Sequence, residues 1–296
     1  MRKGFTLIEL LVAMALLALV MLAVTQMMNS TRIVTATSGK RMAAEAEART
    51  VFDRMSGDFA RMVKRTDVDY SALKQSGNDA FYFFSESPAY ASANGTASNQ
   101  NPVSLVGYRI NAASQLERLG KGLTWNEVQF LAFPDSPVTN SSVPVSGSTI
   151  AGAFGAEISQ ATNAAILADN VFRMEITFLL KPFKNSDGTY LPATYSNDPW
   201  DARAGHSCLI GIGLSDVQAI VVTLAILDPS SRKILPPGTD FSKAVEALQD
   251  NTNLSKLPSQ VWQETINNNA FAIDGFPASA ARQVRVFQRA FPINTQ

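Results

Sequence analysis

Few side chains in this sequence stand where their type and spacing could do chemistry. The single histidine, His206, lies two residues from the single cysteine, Cys208, in the stretch AGHSC. A thiolate beside an imidazole is a nucleophile. Residues i and i+2 share a face only in an extended strand, however, and no third orienting group is evident. The pair also lacks the further ligands that a structural zinc needs, so both read as neutral loop residues. Asp187, Asp198 and Asp201, in NSDGTY and SNDPWD, are weak candidates for holding calcium. Their order is not that of an EF loop, and turn residues are the preferred reading. Arg282, Arg285 and Arg289 could touch nucleic acid, but Arg282 falls on the opposite strand face from the other two, leaving a thin patch. The remaining feature is Glu9, a carboxylate inside an apolar run. A charge there costs about 2.5–3.5 kcal/mol on insertion scales and therefore implies a partner.

The element that carries Glu9 is legible. From Leu10 to Thr31 there is no charged residue. As a helix this stretch would be roughly 33 Å long, enough to cross a hydrocarbon core of about 30 Å. Arg2 and Lys3 precede it, which favours a cytoplasmic N-terminus. A cleaved secretory signal would share these features, and Ala13-Met14-Ala15 even supplies a small-x-small site. That site lies inside the apolar run, the run outlasts an ordinary signal core, and Glu9 interrupts it near its start.

Lys3-Gly4-Phe5-Thr6-Leu7-Ile8-Glu9-Leu10-Leu11-Val12-Ala13 resembles the class III signal of type IV prepilins and type II secretion pseudopilins, residue for residue. The resemblance implies cleavage after Gly4 by a prepilin peptidase and N-methylation of the new terminal residue, Phe5. It also implies that Glu9 makes the assembly contact, pairing with the terminal amine of a neighbouring subunit and neutralising two charges in an apolar filament core.

Beyond the run, Ala48, Phe52, Met55, Phe59 and Met62 are spaced by four, three, four and three, one apolar stripe on a helix. Glu45, Glu47, Arg49, Asp53, Arg54, Asp58 and Arg61 are expected mostly on its other faces. Gly39 and Gly57 are weak spots, and Gly39 marks a place where the helix could loosen. After Arg65 the texture changes to short β-type runs. Strands are expected at Asp79–Ser87, at Leu105–Ile110 and Gln115–Leu119 as a hairpin, at Glu127–Phe133, at Asn170–Leu180 and at Val217–Leu227, with Arg282–Phe291 closing the sheet. Asp187-Gly188 signals a hairpin turn. Phe241–Asp250 and Pro258–Ala270 read as short helices, and the polar stretches 87–102 and 135–155 as surface loops. Val171, Trp200 and the strand Val217–Leu227 are similar in order to the late part of J-type minor pseudopilins and W-type minor pilins, although Leu214-Ser215 stands where those have Leu-Pro. A further likeness, to prepilin-like proteins of small Verrucomicrobia cassettes, rests on no single motif.

The fold expected is α+β and pilin-like: a long N-terminal transmembrane and amphipathic helix packed on an antiparallel β-sheet head with short helices. The parts are a leader at 1–4, a membrane segment at 5–31, the continuing helix at 32–65 and the head at 66–296. Lysine plus arginine equals aspartate plus glutamate at 25 each, so no overall field draws in nucleic acid, and with one cysteine no intrachain disulfide can form. No catalytic group or cofactor site emerges, so the chain reads as a structural subunit rather than an enzyme. What the resemblance implies is a minor pilin or pseudopilin of a type II secretion pseudopilus or type IV pilus-like filament, at its tip or priming its assembly. Its partners would be other pilins, the peptidase and the inner membrane, and the single-pass chain would hold its head on the periplasmic side. The alternative is an adhesive or DNA-binding module carried on a pilin stalk. Intact-mass measurement of the mature protein is expected to show a chain that begins at Phe5 with a methylated amine; a chain beginning near Thr25 would mean an ordinary secretory leader.

Overall fold

A computed structural model describes residues 6–64, 70–74, 77–90, 100–123, 164–206, 213–236, 238–252, 254–268 and 278–293. One helix, α1 (Leu7–Ala60), accounts for 54 of them and is about 81 Å long. Thr6 is its N-cap: the side chain accepts from the Glu9 N–H while the Glu9 carboxylate accepts from the Thr6 N–H, a reciprocal capping box. The helix runs unbroken through Gly39, where sequence suggested a weak point. Among the described residues nothing packs against its N-terminal part. One 18-residue window has a mean hydropathy of 2.8 with none of it buried, so by length and composition this helix could cross a membrane. Burial begins at Ala44 and follows the expected stripe, with Ala48, Phe52, Met55 and Phe59 joined by Val51. The helix stops at Ala60, short of the expected 65, because Met62 is drawn into a β-bridge with Ser85.

Two antiparallel sheets close around this stripe. The first has the order β1-β2-β5-β6-β7, formed by Tyr70–Leu73, Ala80–Ser85, Ser104–Ile110, Leu116–Gly122 and Ala164–Ala168. The second has the order β11-β8-β12-β13, formed by Thr194–Ser196, Val171–Leu180, Val217–Leu227 and Val284–Pro292. The expected hairpin is β5–β6, whose turn is organised by Asn111: its side-chain oxygen accepts from the Ala113 and Gln115 amides. The Asp187-Gly188 turn joins a two-residue ribbon, β9 (Phe183–Lys184) and β10 (Tyr190–Leu191), with Gly188 at a φ of 89° that favours glycine. Stretch 87–102 is not loop throughout. Its ends pair as β3 (Ala89–Tyr90) and β4 (Gln100–Asn101). The expected strand Glu127–Phe133 and the loop 135–155 lie outside the described residues.

Phe59 is the aromatic hub, with ring centroids 5.0 Å from Phe291, 5.2 Å from Phe83 and 6.0 Å from Phe81. Around it Val106, Met174, Ile176, Phe178, Ile220 and Leu224 complete the main core between α1 and the sheets. The far face of the second sheet carries a separate core under four short helices: α2 (Pro229–Ile234), α3 (Ser242–Ala247), α4 (Pro258–Asn267) and α5 (Ala278–Ala281). Two of these, α3 and α4, match the short helices expected from sequence. The first follows directly on β12, where Asp228-Pro229 both ends the strand and starts a helix. Asp228 accepts from the Ser230 and Ser231 amides, and proline takes the first turn, where an N–H is not needed.

Three polar contacts pin α1 to three different strands or their ends. Glu47 accepts from the backbone and side-chain nitrogens of Asn170, just before β8, at 3.0 and 2.8 Å. Asp53 pairs with Arg289 of β13 at 2.7 Å. Asp58, expected on an outer face, is instead only 3% exposed and sits in the core. Its spacing of three from Met55 and four from Met62 puts it on the stripe itself. Arg118 of β6 grips it with two bonds, at 2.6 and 2.9 Å, and the Tyr108 hydroxyl donates a third. Burial, and then the charge of Asp58, push that hydroxyl well above its ordinary pKa, so it keeps its proton for that bond. Asp58→Ala leaves a guanidinium and a phenol uncompensated in the interior, an expected loss of about 3–5 kcal/mol in chemical denaturation. Asp53→Ala, at a pair largely open to water, is expected to cost about 0–1 kcal/mol. Equal losses from the two substitutions would contradict this assignment.

Candidate functional site

The N-terminal turn of α1 is where sequence placed the chemistry. Gly4 and Phe5, the expected cleavage and methylation positions, lie outside the described residues. Glu9 is described and exposed. Its Oε2 accepts from the Thr6 backbone N–H at 3.0 Å and from the Thr6 hydroxyl at 3.1 Å. Among the described residues no cation stands within ion-pair distance of it. Its neighbours Leu7, Ile8, Leu10 and Leu11 are between 57% and 80% exposed, so the carboxylate stands in an uncovered apolar surface. A helix N-terminus suits a carboxylate electrostatically, and the capping box fixes where it points. The arrangement can accept a cation. It holds no nucleophile or proton relay.

The other candidates are dispersed. Asp187 turns its Oδ1 to the Thr189 amide, which holds its carboxyl below the usual range in an exposed loop. Asp198 is exposed, and its amide donates to the Ser196 hydroxyl. Asp201 is buried and gripped by Arg203 at 2.9 and 2.7 Å; that bond keeps its carboxyl ionised below the ordinary range. Among the described residues no three such side chains come together to hold a metal. Arg289 is spent on Asp53, and Arg285 donates to the carbonyls of Arg282 and Val284.

His206 does have an orienting carboxylate, which sequence spacing did not show. Its Nδ1 is 2.8 Å from Oδ2 of Asp216, ten residues on, and that same oxygen accepts from the Asp201 amide at 2.7 Å. The His206 amide returns to the Asp201 carbonyl at 3.1 Å. These bonds fasten a loop beside a cavity of about 160 Å³ lined by Lys181, Phe183, Asp201, His206 and Ser215. Cys208 lies outside the described residues, so its place relative to His206 is not part of this geometry.

Residues 1–25 match the prokaryotic N-terminal methylation motif. Over 127 residues the chain is 38% identical to type II secretion system protein J of Klebsiella pneumoniae, a likeness that covers 40% of this chain. The chain spans 61% of the length of that relative. A type IV-like pilin from Thermus thermophilus is 13% identical, with 85% of this chain and 95% of that one aligned at a TM-score of 0.31, a likeness too slight to build on. The chain thus carries the N-terminal methylation motif and, over 127 residues, is similar to a type II secretion system protein J.

Proposed function

We propose that this chain is a minor pilin or pseudopilin, a structural subunit that enters or primes an envelope filament and performs no catalysis of its own. The observation that carries the reading is Glu9. An ionisable group is held by a capping box at the start of an apolar helix, immediately after the Gly4-Phe5 motif, with no cation of its own among the described residues. Removal of the leader after Gly4 creates a free amine at Phe5, the one cation that every processed subunit would carry at this depth. A carboxylate from one subunit and an amine from the next remove each other's desolvation cost, whereas either alone in a filament core would be strongly destabilising.

The rest of the chain fits that role. The uncovered apolar half of α1 serves first as membrane anchor and then as filament core, with the peptidase and sister pilins as its partners. The head lies on the extracytoplasmic side, following Arg2 and Lys3. A head of roughly 230 residues suits a low-copy tip or priming subunit better than a tightly stacked major one. The test is Glu9→Val in the producing cell, read by membrane fractionation and by crosslinking to sister pilins. Membrane insertion is expected to be unchanged and crosslinked complexes to fall at least tenfold, since a factor of ten is about 1.4 kcal/mol. Crosslinking at the parental level would remove the pairing role.

A further inference from the structure

A second group of ionisable side chains gathers on β8, where residues 74–79 and 248–251 meet it. On β8, Arg173, Glu175 and Thr177 alternate with Met174, Ile176 and Phe178, and all six are buried; Phe172, at a register shift, packs in the second core. Beyond Phe178–Leu180, which pair with β11, the edge of this strand is met by residues 78 and 79: the Asp79 amide donates to the Met174 carbonyl at 3.1 Å and side chains complete the rest. Asn78 bonds the Phe172 carbonyl and the Met174 amide, at 3.1 and 2.8 Å. Asp79 Oδ2 accepts from the Ile176 amide at 2.7 Å and from Lys74 Nζ at 2.6 Å, and Lys74 also donates to the Ile176 carbonyl.

From the other side, the segment Leu248–Asn251 lies down on the same residues. Arg173 donates to the Leu248 carbonyl at 3.1 Å, pairs with Asp250 at 2.5 Å and lies 4.9 Å above the Trp262 ring. Glu175 Oε1 accepts from the Asn251 amide at 2.9 Å. Trp262 Nε1 donates to the Gln249 carbonyl at 2.9 Å.

Charge does not balance in this junction when every group is ionised. Two cations, Lys74 and Arg173, face three carboxylates, Asp79, Glu175 and Asp250. The side chains of Arg173 and Glu175 are 0% exposed and that of Asp79 is 1% exposed. Among the described residues two oxygens, Asp79 Oδ1 and Glu175 Oε2, have no hydrogen-bond partner, and Arg173 reaches Oε2 only at 3.9 Å. A single proton corrects the count, and the carboxylate most cut off from water and from a cation is Glu175.

We propose that this junction is a proton-operated latch: one proton, carried by Glu175, neutralises the cluster and lets Leu248–Asn251 lie against β8, and loss of that proton lets the segment lift. Asp250 is the point of release, because its side chain is 38% exposed and can turn outward with its charge. Trp262 and α4 follow, since Trp262 is bonded to the same segment. The latch is independent of the filament reading, for it lies wholly within the head.

Burial raises the Glu175 carboxyl to about 7, only partly offset by the Asn251 amide, and burial also raises Asp79. The sign follows. The folded state holds a proton that the unfolded chain releases near 4.5, so the contribution is full below that pH and fades as pH rises to about 7.

The test uses the full chain in detergent micelles, unfolded at pH values from 4.5 to 8, with hydrogen exchange at 248–252 corrected for the intrinsic pH dependence. In the parental chain the folding equilibrium constant is expected to fall on the order of a hundredfold across that window, with exchange at 248–252 rising in step. Glu175→Gln, which keeps the neutral form at every pH, is expected to lose most of this slope and to protect the segment at pH 8. An unchanged slope in Glu175→Gln overturns the proposal. Asp250→Asn, at a half-open position, frees Arg173 for Glu175 and is expected to move the fall to lower pH. A fall that stays in place overturns the charge-balance argument even if the glutamine variant does not fold.

Discussion

A single helix must satisfy two surroundings, and the rest of the molecule is arranged around that constraint. The first part of α1 presents leucine, valine and methionine on all sides, and none of the described residues packs against them. The last turns present one apolar stripe, and both sheets close on it. No break separates the two regimes, so backbone hydrogen bonding is continuous from Leu7 to Ala60. What changes is the side-chain pattern, from apolar all round to apolar on one face, which is the difference between a helix suited to lipid and one suited to the surface of a folded domain. The junction is therefore a stiff rod, and any load on the apolar half reaches the head through the contacts of Ala44 to Met62.

Those contacts divide into a non-directional part and a specifying part. The aromatic cluster around Phe59 gives adhesion but would tolerate small rotations of the rod. Asp58, Asp53 and Glu47 each meet a different part of the head, and together they fix the helix's rotation and height. Of the three, only the Asp58 group is fully withdrawn from water. A misregistered helix would strand a carboxylate, a guanidinium and a phenol together, which is where an error is costliest. The same logic recurs in the Arg173–Glu175 junction, where polar side chains finish the edge of β8. Glu9 is the exception. Within the chain it has Thr6 but no opposite charge among the described residues, and the assembly contact proposed above would supply one.

Much of this was written locally in the sequence. The stripe from Ala48 to Met62, the alternation of β8 from Met174 to Phe178, the continuous apolar run of β12 and the Asp-Gly turn all depend on residues close together in the chain, whereas Phe172, expected on the face of Met174, packs in the second core beyond a register shift. Strand bounds at Val217–Leu227 agree to the residue. What local pattern hid were pairings between distant residues. Asp58 looks like one more charge on an amphipathic helix until Arg118 is brought to it, although its place on the stripe was a visible signal. Arg173 and Glu175 likewise hold strand positions whose face is buried only because distant segments, at 74–79 and 248–251, cover it. The Asp216 partner of His206 and the pairing at the ends of 87–102 are further cases of long-range closure. At the N-terminus sequence said more than structure, since the reading of Gly4 and Phe5 rests on a motif alone.

The central claim is that Glu9 is kept in an apolar helix to meet another subunit's N-terminus. The measurement that bears on it most directly is the structure of the assembled filament or tip complex at a resolution that shows side chains. The account predicts the Glu9 carboxylate within about 4 Å of the methylated Phe5 amine of an adjacent subunit, the distance of an ion pair. A Glu9 bonded only to its own Thr6 in the assembled state, with the neighbouring amine satisfied elsewhere, would contradict it.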